Sequence, residues 1–303
     1  MTNQRFELFL LKHLHGIGNK GLLKLLNHII LNGETIKNYA ATDLMRIAGV
    51  STRYQPLFEQ SVKMIWNHQD ELLEAFYRTE FLTIMDEDYP MLLLETYNPP
   101  VGLFYKGDKK LLRNATLAVV GTREATSYGK KLTNKIVADL IKQQYTIVSG
   151  LAKGIDTFAH QEAIAAQGQT IAVVAHGLDK IYPKENAELF EKLSTSHLVL
   201  SEYKEGTLPK KHQFPMRNRI IAGLSHGVCV IEAKQRSGSL ITAQQALDNN
   251  REVFAVPGPI DASNSEGCHE LIQNGAKLVT SANHIIEEIK QFRLDNVDKR
   301  LTK

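Results

Sequence analysis

The segment Ser149–His160 carries the residues whose types and spacing are best suited to chemistry. It reads Ser-Gly-Leu-Ala-Lys-Gly-Ile-Asp-Thr-Phe-Ala-His, after the apolar run Thr146–Val148 and before a helical pattern. Gly150 and Gly154 allow tight backbone conformations and a close approach to a ligand, and the free N–H groups of a helix start bind anions. Lys153 adds a positive charge. The segment therefore predicts a phosphate-binding turn between a strand and a helix.

Other functions of this segment are less well supported. It lacks the Gly-Lys-Ser/Thr of a Walker loop and the Gly-x-Gly-x-x-Gly spacing of a dinucleotide-binding turn. Asp156 and His160 stand four residues apart on one face of the predicted helix. No second base, thiol or metal ligand stands at a usable spacing from them, and Asp156 at a helix start is also a favourable cap. We therefore favour a structural role for this pair over catalysis.

Basic residues also follow the other apolar runs. Arg123 comes directly after a buried run, where its charge needs either an anion or a structural salt bridge. Lys184 lies beside a proline in a loop and is explained equally well by solvation. Arg217 and Arg219 flank Asn218 at a predicted helix start, where cations oppose the helix dipole, which favours an anionic partner.

These segments together predict one phosphate-binding site. Ser237 and Ser239 either donate to phosphate or only cap the helix that follows them. The residues assigned to the site are Gly121, Arg123, Ser149, Gly150, Lys153, Gly154, Lys184, Phe214, Arg217, Asn218, Arg219, Ser237, Gly238 and Ser239.

The elements that must position these residues alternate between strand and helix from Leu117 onward. The strands are continuous apolar runs, which is typical of a parallel sheet buried on both faces, so the pattern predicts a doubly wound α/β fold. Ligands of such folds bind outside the carboxyl ends of the strands, where the predicted site residues stand. The predicted strands are Leu117–Val120, Thr146–Val148, Thr170–Val174, Leu198–Leu200, Val228–Ile231, Val253–Val256 and Lys277–Val279.

The first 80 residues carry apolar residues at helical spacing and predict an all-helical domain. Within it, His15–Lys20 resembles a helix-hairpin-helix turn, whose backbone N–H groups can hold a DNA phosphate. A small bundle that uses Gly16 and Gly18 to turn a corner explains the segment equally well. A helical stretch from about residue 55 to 78 is predicted to have Trp66 on its core side.

Prolines change the pattern after residue 80. Short strands at Phe81–Met85 and Gly102–Tyr105 are expected to join the sheet of the next domain, which ends in a helix at Asn283–Phe292. The predicted division is 1–80 (helical domain), 81–113 (connector), 114–292 (α/β domain) and 293–303 (polar tail).

Composition is that of an ordinary globular protein. The 303 residues are 43% hydrophobic, and 36 Lys+Arg against 33 Asp+Glu give a net charge of +3, so any nucleic-acid site requires clustered basic residues. Cys229 and Cys268 fit a reducing compartment. The sequence predicts neither a signal peptide nor a membrane span, and we expect a cytoplasmic protein without a metal or cofactor.

The motifs, taken in order, resemble those of the DprA/Smf family of bacterial DNA-processing proteins. The resemblance extends from about Asp88 to Ile289, and the joint match is far more specific than any single motif. The motifs are Val120-Gly-Thr-Arg, Ser149-Gly-Leu-Ala-Lys-Gly-Ile-Asp with His160, Tyr182-Pro-Lys-Glu-Asn, Phe214-Pro-Met-Arg-Asn-Arg-Ile-Ile-Ala-Gly-Leu-Ser, Glu232-Ala, Ser237-Gly-Ser-Leu-Ile-Thr-Ala and Val253-Phe-Ala-Val-Pro-Gly.

The resemblance implies an extended Rossmann domain after an N-terminal helical SAM-like domain. It implies a non-catalytic protein that binds single-stranded DNA cooperatively, protects it and loads RecA onto it during natural transformation. The resemblance places Arg123, Lys153 and Lys184 in the DNA-binding pocket, and Phe214 and Tyr182 are then predicted to stack on unpaired bases. It also implies a homodimer formed through the C-terminal part of the Rossmann domain. The winged-helix domain of some members is expected to be absent. The residues expected at the dimer interface are Leu247, His269, Ile272 and Leu278.

Two alternatives share the same predicted pocket. The Ser237–Ala243 segment resembles the phosphate loop of Rossmann-like nucleoside-monophosphate phosphoribohydrolases (the LOG group). Those enzymes place a catalytic glutamate shortly after the threonine, whereas Ala243, Gln244 and Gln245 follow Thr242 here. A nucleotide-sensing domain is the second alternative, and it predicts tight mononucleotide binding.

Overall fold

The computed structural model describes residues 2–290. The predicted tail at 293–303 and the last two residues of the helix predicted at Asn283–Phe292 lie outside the described residues. The first part of the chain is helical, as its apolar spacing predicts. Its helices are α1 (Thr2–Leu11), α2 (Asn19–His28), α3 (Ala41–Ala48), α4 (Gln55–Asn67) and α5 (Gln69–Arg78), with 3₁₀ turns at Ile30–Asn32, Ile36–Asn38 and Thr52–Tyr54.

Helix α4 shows how apolar spacing sets a buried face. Phe58, Val62 and Ile65 recur at helical spacing and are buried. Trp66 exposes 37% of its surface, so its prediction as a core residue is wrong. It lies about 80° round the helix from Phe58, at the margin of the apolar stripe.

All seven strands predicted after Leu117 are present, with ends shifted by at most one residue. Two further strands precede them, the first two residues shorter than predicted and the second two residues longer. The strands are β1 (Phe81–Thr83), β2 (Gly102–Gly107), β3 (Thr116–Val120), β4 (Thr146–Ser149), β5 (Thr170–Val174), β6 (Leu198–Ser201), β7 (Gly227–Val230), β8 (Glu252–Ala255) and β9 (Lys277–Leu278).

The nine strands form one sheet in the order β1-β2-β6-β5-β4-β3-β7-β8-β9. Strands β3 to β9 pair in parallel, while β1 with β2 and β2 with β6 pair antiparallel. The predicted mostly parallel, doubly wound sheet is therefore confirmed. The chain adds β4, β5 and β6 on one side of β3 and then β7, β8 and β9 on the other, so the topological switch point, where such sheets bind ligands, lies between β3 and β7.

Helices cover both faces of the sheet, which is why β3 is buried along its whole length. Leu117 and Val119 belong to a core cluster with Ile136 of the first long helix after β3, while Ala118 and Val120 belong to the opposite cluster. The helices are α6 (Met91–Leu94), α7 (Ser127–Lys142), α8 (Ile155–Ala165), α9 (Ala187–Ser196), α10 (Gln213–Leu224), α11 (Gly238–Asp248) and α12 (Glu266–Gln273), followed by a helix described over residues 282–290.

The N-terminal helices share a core with one edge of the sheet. The ring of Phe9 lies 5.5 Å from that of Phe81 and 6.2 Å from that of Phe104. Asn19 Nδ2 donates to Pro99 O at 2.7 Å, and Asn19 Oδ1 accepts from Val101 N at 3.2 Å. The domain boundaries at 80 and 113 stay a prediction, since packing is continuous across them. No helix in the described part is long and apolar enough to cross a membrane.

Candidate functional site

Two adjoining cavities open at the switch point of the sheet. The larger has a volume of about 590 Å³ and the smaller about 150 Å³. We call them together the rim cleft, because they lie beyond the carboxyl ends of β3, β4, β5 and β7. Both cavities are lined by Arg123, Ala152, Tyr182, Phe214 and Arg217. Most of the basic residues predicted from separate motifs are thus brought to one place.

The glycines of the site allow close backbone approach. Gly154 has a φ of +77°, and a Cβ there would lie 2.3 Å from Thr122 O. A Cβ on Gly150 would lie 2.5 Å from Nη1 of Arg217, and a Cβ on Gly121 would lie 2.6 Å from Ile155. Side chains at these positions would displace the turn after β4 and the arginine against it.

Arg217 forms the floor of the rim cleft and is buried. Its Nη1 donates to Gly150 O at 2.6 Å and to Val173 O, and its Nε donates to Asn218 Oδ1 at 3.1 Å. Burial lowers the pKa of Arg217 to about 10, against the opposing effect of Asp156, so the guanidinium is charged at neutral pH. The sequence expectation that Arg217 begins a helix is wrong, because α10 begins at Gln213.

A guanidinium group and two aromatic rings lie in a row at the mouth of the rim cleft. The guanidinium of the exposed Arg123 lies 5.5 Å from the ring centroid of Phe214. The Phe214 and Tyr182 ring centroids are 5.6 Å apart, with planes tilted by 52°. Tyr182 is 44% exposed. These rings offer π-faces beside a positive charge, the combination that unpaired bases and their phosphates require.

The start of α11 forms another wall. Asn218 Nδ2 donates to Gly238 O at 3.1 Å, which links this helix to the floor. Ser237 caps α11 by accepting from Ser239 N at 3.2 Å, and the two hydroxyl oxygens lie 2.6 Å apart. All four residues line the larger cavity. The serines therefore cap the helix and also face the cleft.

Lysine and arginine residues outside the predicted set also line the larger cavity. Lys234 pairs with Glu124 at 2.6 Å, while Lys211 and Arg236 have no ion pair within the described residues. Each of these three residues lies in a segment that follows β6 or β7. Their position after a strand could therefore have identified them from the sequence as candidate site residues. Lys153, at the smaller cavity, pairs with Glu185 at 2.5 Å.

Four predicted site residues do not line the rim cleft: Ser149, Gly154, Lys184 and Arg219. Ser149 is fully buried and donates its hydroxyl to Val119 O at 2.7 Å. Lys184 is exposed beside the cleft but outside its lining. Arg219 is buried on another side of α10, where Nη2 contacts both carboxylate oxygens of Glu202 at 2.6 Å. Side chains two positions apart on a helix point in nearly opposite directions, which separates Arg219 from Arg217.

Asp156 and His160 hold the structure of the Gly-rich turn and its helix. Asp156 accepts from the backbone N–H groups of Gly150 and Ala152 at 3.2 and 3.3 Å, and burial raises its pKa. His160 Nδ1 lies 2.7 Å from Thr170 Oγ1. That hydroxyl donates to a backbone carbonyl, so the imidazole donates to the hydroxyl through Nδ1. Burial lowers the pKa of His160 to about 3, so the ring is neutral at neutral pH.

The residues expected at a dimer interface lie on the side of the sheet that ends in β9. Leu278 is in that edge strand and is 44% exposed, and Leu247 of α11 is 48% exposed. Ile272 and His269 are half-buried on α12. His269 Nε2 donates to Gly258 O at 3.0 Å, so this histidine already has an internal partner.

Fold and site together define an α/β protein with a cationic, aromatic-lined cleft at the switch point of its sheet. The chain belongs to the DNA recombination-mediator protein A family, whose model matches residues 80–290. DNA processing protein DprA of Streptococcus pneumoniae is 44% identical over 291 residues, which are 96% of this chain and 100% of that protein. The Bacillus subtilis DprA is 47% identical over 72% of this chain and 74% of its own.

Solved structures agree with this assignment. The X-ray structure of S. pneumoniae DprA matches with a TM-score of 0.84 at 44% identity, over 94% of this chain and 97% of that one. DNA processing protein A of Helicobacter pylori, studied for its single-stranded DNA binding mode, matches with a TM-score of 0.63 at 31% identity. That match covers 70% of this chain and 96% of the other.

Proposed function

We propose that this chain binds single-stranded DNA in the rim cleft. The row formed by Arg123, Phe214 and Tyr182 beside the Gly-rich turn carries the proposal. Phosphates would be held by Arg123, Lys153 and the backbone N–H groups of the turn, while bases stack on the two rings. The single-stranded DNA binding of the H. pylori relative supports the same ligand class.

The shape of the rim cleft favours a single strand over a duplex. The smaller cavity, about 150 Å³, is lined by Tyr182 and Phe214, so it suits one unpaired base at a time. A paired base keeps its edge and both faces within the helix stack and cannot enter. Sequence-tolerant stacking and charge contacts are expected to dominate the affinity.

We assign the site to binding and not to catalysis. The carboxylate of Asp156 is engaged by two backbone N–H groups of the turn. The LOG hydrolases place their acid shortly after the threonine, whereas Ala243, Gln244 and Gln245 follow Thr242 here, and Gln245 donates to Pro215 O. The other carboxylate that lines the larger cavity, Glu124, is paired with Lys234.

The family assignment supports a wider role in recombination. We propose that cooperative binding protects the strand, that RecA is loaded onto it during natural transformation, and that the protein acts in the cytoplasm. We further propose a homodimer through the β9 side of the sheet, where Leu247 and Leu278 expose apolar surface. Covering such residues is a common driving force for association.

Fluorescence anisotropy of labelled oligonucleotides across a salt series tests the proposed site. We expect Arg123→Ala with Lys153→Ala to weaken single-strand binding strongly and to reduce the log–log salt slope by about 1.4, since each phosphate contact contributes about 0.7. The matched control is Arg78→Ala with Lys192→Ala, which removes one exposed arginine and one exposed lysine away from the cleft.

Wild-type affinity and slope in a folded Arg123/Lys153 variant would refute the site. Weak binding of the wild-type protein to both single strands and duplex, with competition by a mononucleotide at low concentration, would instead support the nucleotide-binding alternative.

A further inference from the structure

A second large cavity lies between the N-terminal helices and the loop that follows β6. Its volume is about 770 Å³. One wall is formed by residues 11, 12 and 14–19 with Leu22 and Leu57, and the other by residues 202–208 with Lys210, His212, Gln213 and Met216. We call it the N-terminal groove. The proposed site at the rim cleft does not use it.

Positive charges outnumber negative charges in the lining of the N-terminal groove. Lys12, Lys204 and Lys210 line it, and none of them has an ion pair within the described residues. The carboxylate of Glu202 is already bound by Arg219 beneath the wall, which leaves the exposed Glu205 as the uncompensated acid among the lining residues. Cations that face one another across a groove repel unless an anion enters it.

The two walls influence each other through these charges. Burial, and then the ammonium group of Lys204, lower the pKa values of His15 on the opposite wall and of His13 two residues before it. For Lys12, burial lowers the pKa, Glu202 opposes that change and Arg219 adds to it. The groove is therefore electropositive from both sides.

The surface between the lysines is apolar and accessible. Leu208 is 60% exposed, Leu57 is 44% exposed and Met216 is 42% exposed. Helix α2 begins after Gly18 without a side-chain cap, so its N-terminus adds partial positive charge to the same groove. Apolar surface interleaved with cations suits a strand whose bases are unpaired.

The N-terminal groove is separated from the rim cleft by one short ridge, residues 210–216. Lys211, Phe214 and Pro215 line the rim cleft, whereas Lys210 and His212 line the groove. Within residues 210–216, some side chains therefore line the rim cleft and their neighbours line the N-terminal groove. A flexible chain leaving Phe214 needs only to cross this ridge to reach the lysines beyond it.

We propose that the N-terminal groove is a second binding segment for the same single strand, whose phosphates contact Lys204, Lys210 and Lys12 after the strand crosses the ridge at residues 210–216. This inference rests on the proposed function of the rim cleft. It assigns a nucleic-acid contact to the N-terminal helices and makes the site longer than the cleft.

A length series of labelled oligothymidylates, bound to the full chain across a salt series, tests the proposal. The variant is Lys204→Ala with Lys210→Ala, and the control is Lys135→Ala with Lys192→Ala, two exposed lysines outside both cavities. We expect short oligonucleotides, which only fill the rim cleft, to bind the variant like wild type. Longer ones should bind more weakly, with a salt slope reduced by about 1.4.

The outcomes separate this proposal from the proposed function. Equal binding of variant and wild type at every length refutes the groove segment, even when the Arg123/Lys153 variant has lost binding, and leaves an acidic protein partner as its occupant. Equal loss at short and long lengths also refutes it, because the lysines would then act at the cleft. Loss confined to long oligonucleotides, absent from the control, supports it.

Discussion

We expect the Arg219→Met substitution to lower the free energy of unfolding without removing a DNA contact of the rim cleft. The Arg219 and Glu202 side chains are only 10% and 8% exposed and are joined by two 2.6 Å contacts. Removing the arginine leaves a buried carboxylate without its partner, which costs about 3–5 kcal/mol. The nearby positive charge of Lys12 interacts with Glu202, so we expect a value near the lower end.

The same substitution also removes a link between the N-terminal helices and the sheet. Arg219 Nη1 donates to Asn98 O at 2.9 Å, and Asn98 Oδ1 accepts from Asn19 at 2.8 Å. Loss of about 3 kcal/mol is a large part of the 5–15 kcal/mol that stabilises a typical domain. The midpoint of urea unfolding should therefore fall markedly.

Urea unfolding and oligonucleotide anisotropy should be measured on the same preparations. The double variant Arg219→Met with Glu202→Met should recover much of the lost stability, because apolar residues of similar volume can replace a buried ion pair. At low temperature, the folded single variant should bind short oligonucleotides, which fill only the rim cleft, like wild type. An unchanged unfolding midpoint, or a loss of affinity for short oligonucleotides at normal stability, would refute the structural role assigned to Arg219.

Three further predictions concern the rim cleft and its supports. Phe214→Leu should keep the apolar packing but weaken single-strand binding by about 1–3 kcal/mol per stacked base, and unchanged anisotropy titrations would exclude stacking on this ring. Gly154→Ala should lower the free energy of unfolding by more than about 1 kcal/mol, because φ is +77° and the new Cβ would lie 2.3 Å from Thr122 O; an equal midpoint in urea would contradict that strain. His160 has a pKa of about 3 when folded and an ordinary value near 6.5 when unfolded, so the unfolded state binds the extra proton between these values. Stability should therefore fall with pH below about 6.5 by up to about 1.4 kcal/mol per unit, and urea titrations of His160→Gln should show a shallower fall unless another group carries the effect.

The sequence by itself determined the class of fold and the edge where the site lies. Continuous apolar runs such as Thr170–Val174 can only be buried on both faces, and parallel strands place the segments that follow them at one edge. The sequence also determined that the turn after the second predicted parallel strand needs Gly150 and Gly154. Their close contacts with Arg217 and Thr122 explain why the turn requires glycine.

The tertiary structure alone decided which charges share a cavity. Arg217 and Arg219 are two residues apart and look equivalent in sequence, yet one forms the floor of the rim cleft and the other a buried pair with Glu202. Their directions depend on the angle between successive helix positions and on what packs against each face. The opposition of Lys12 and Lys204 across the N-terminal groove likewise depends on packing between segments almost 200 residues apart, which no local pattern encodes.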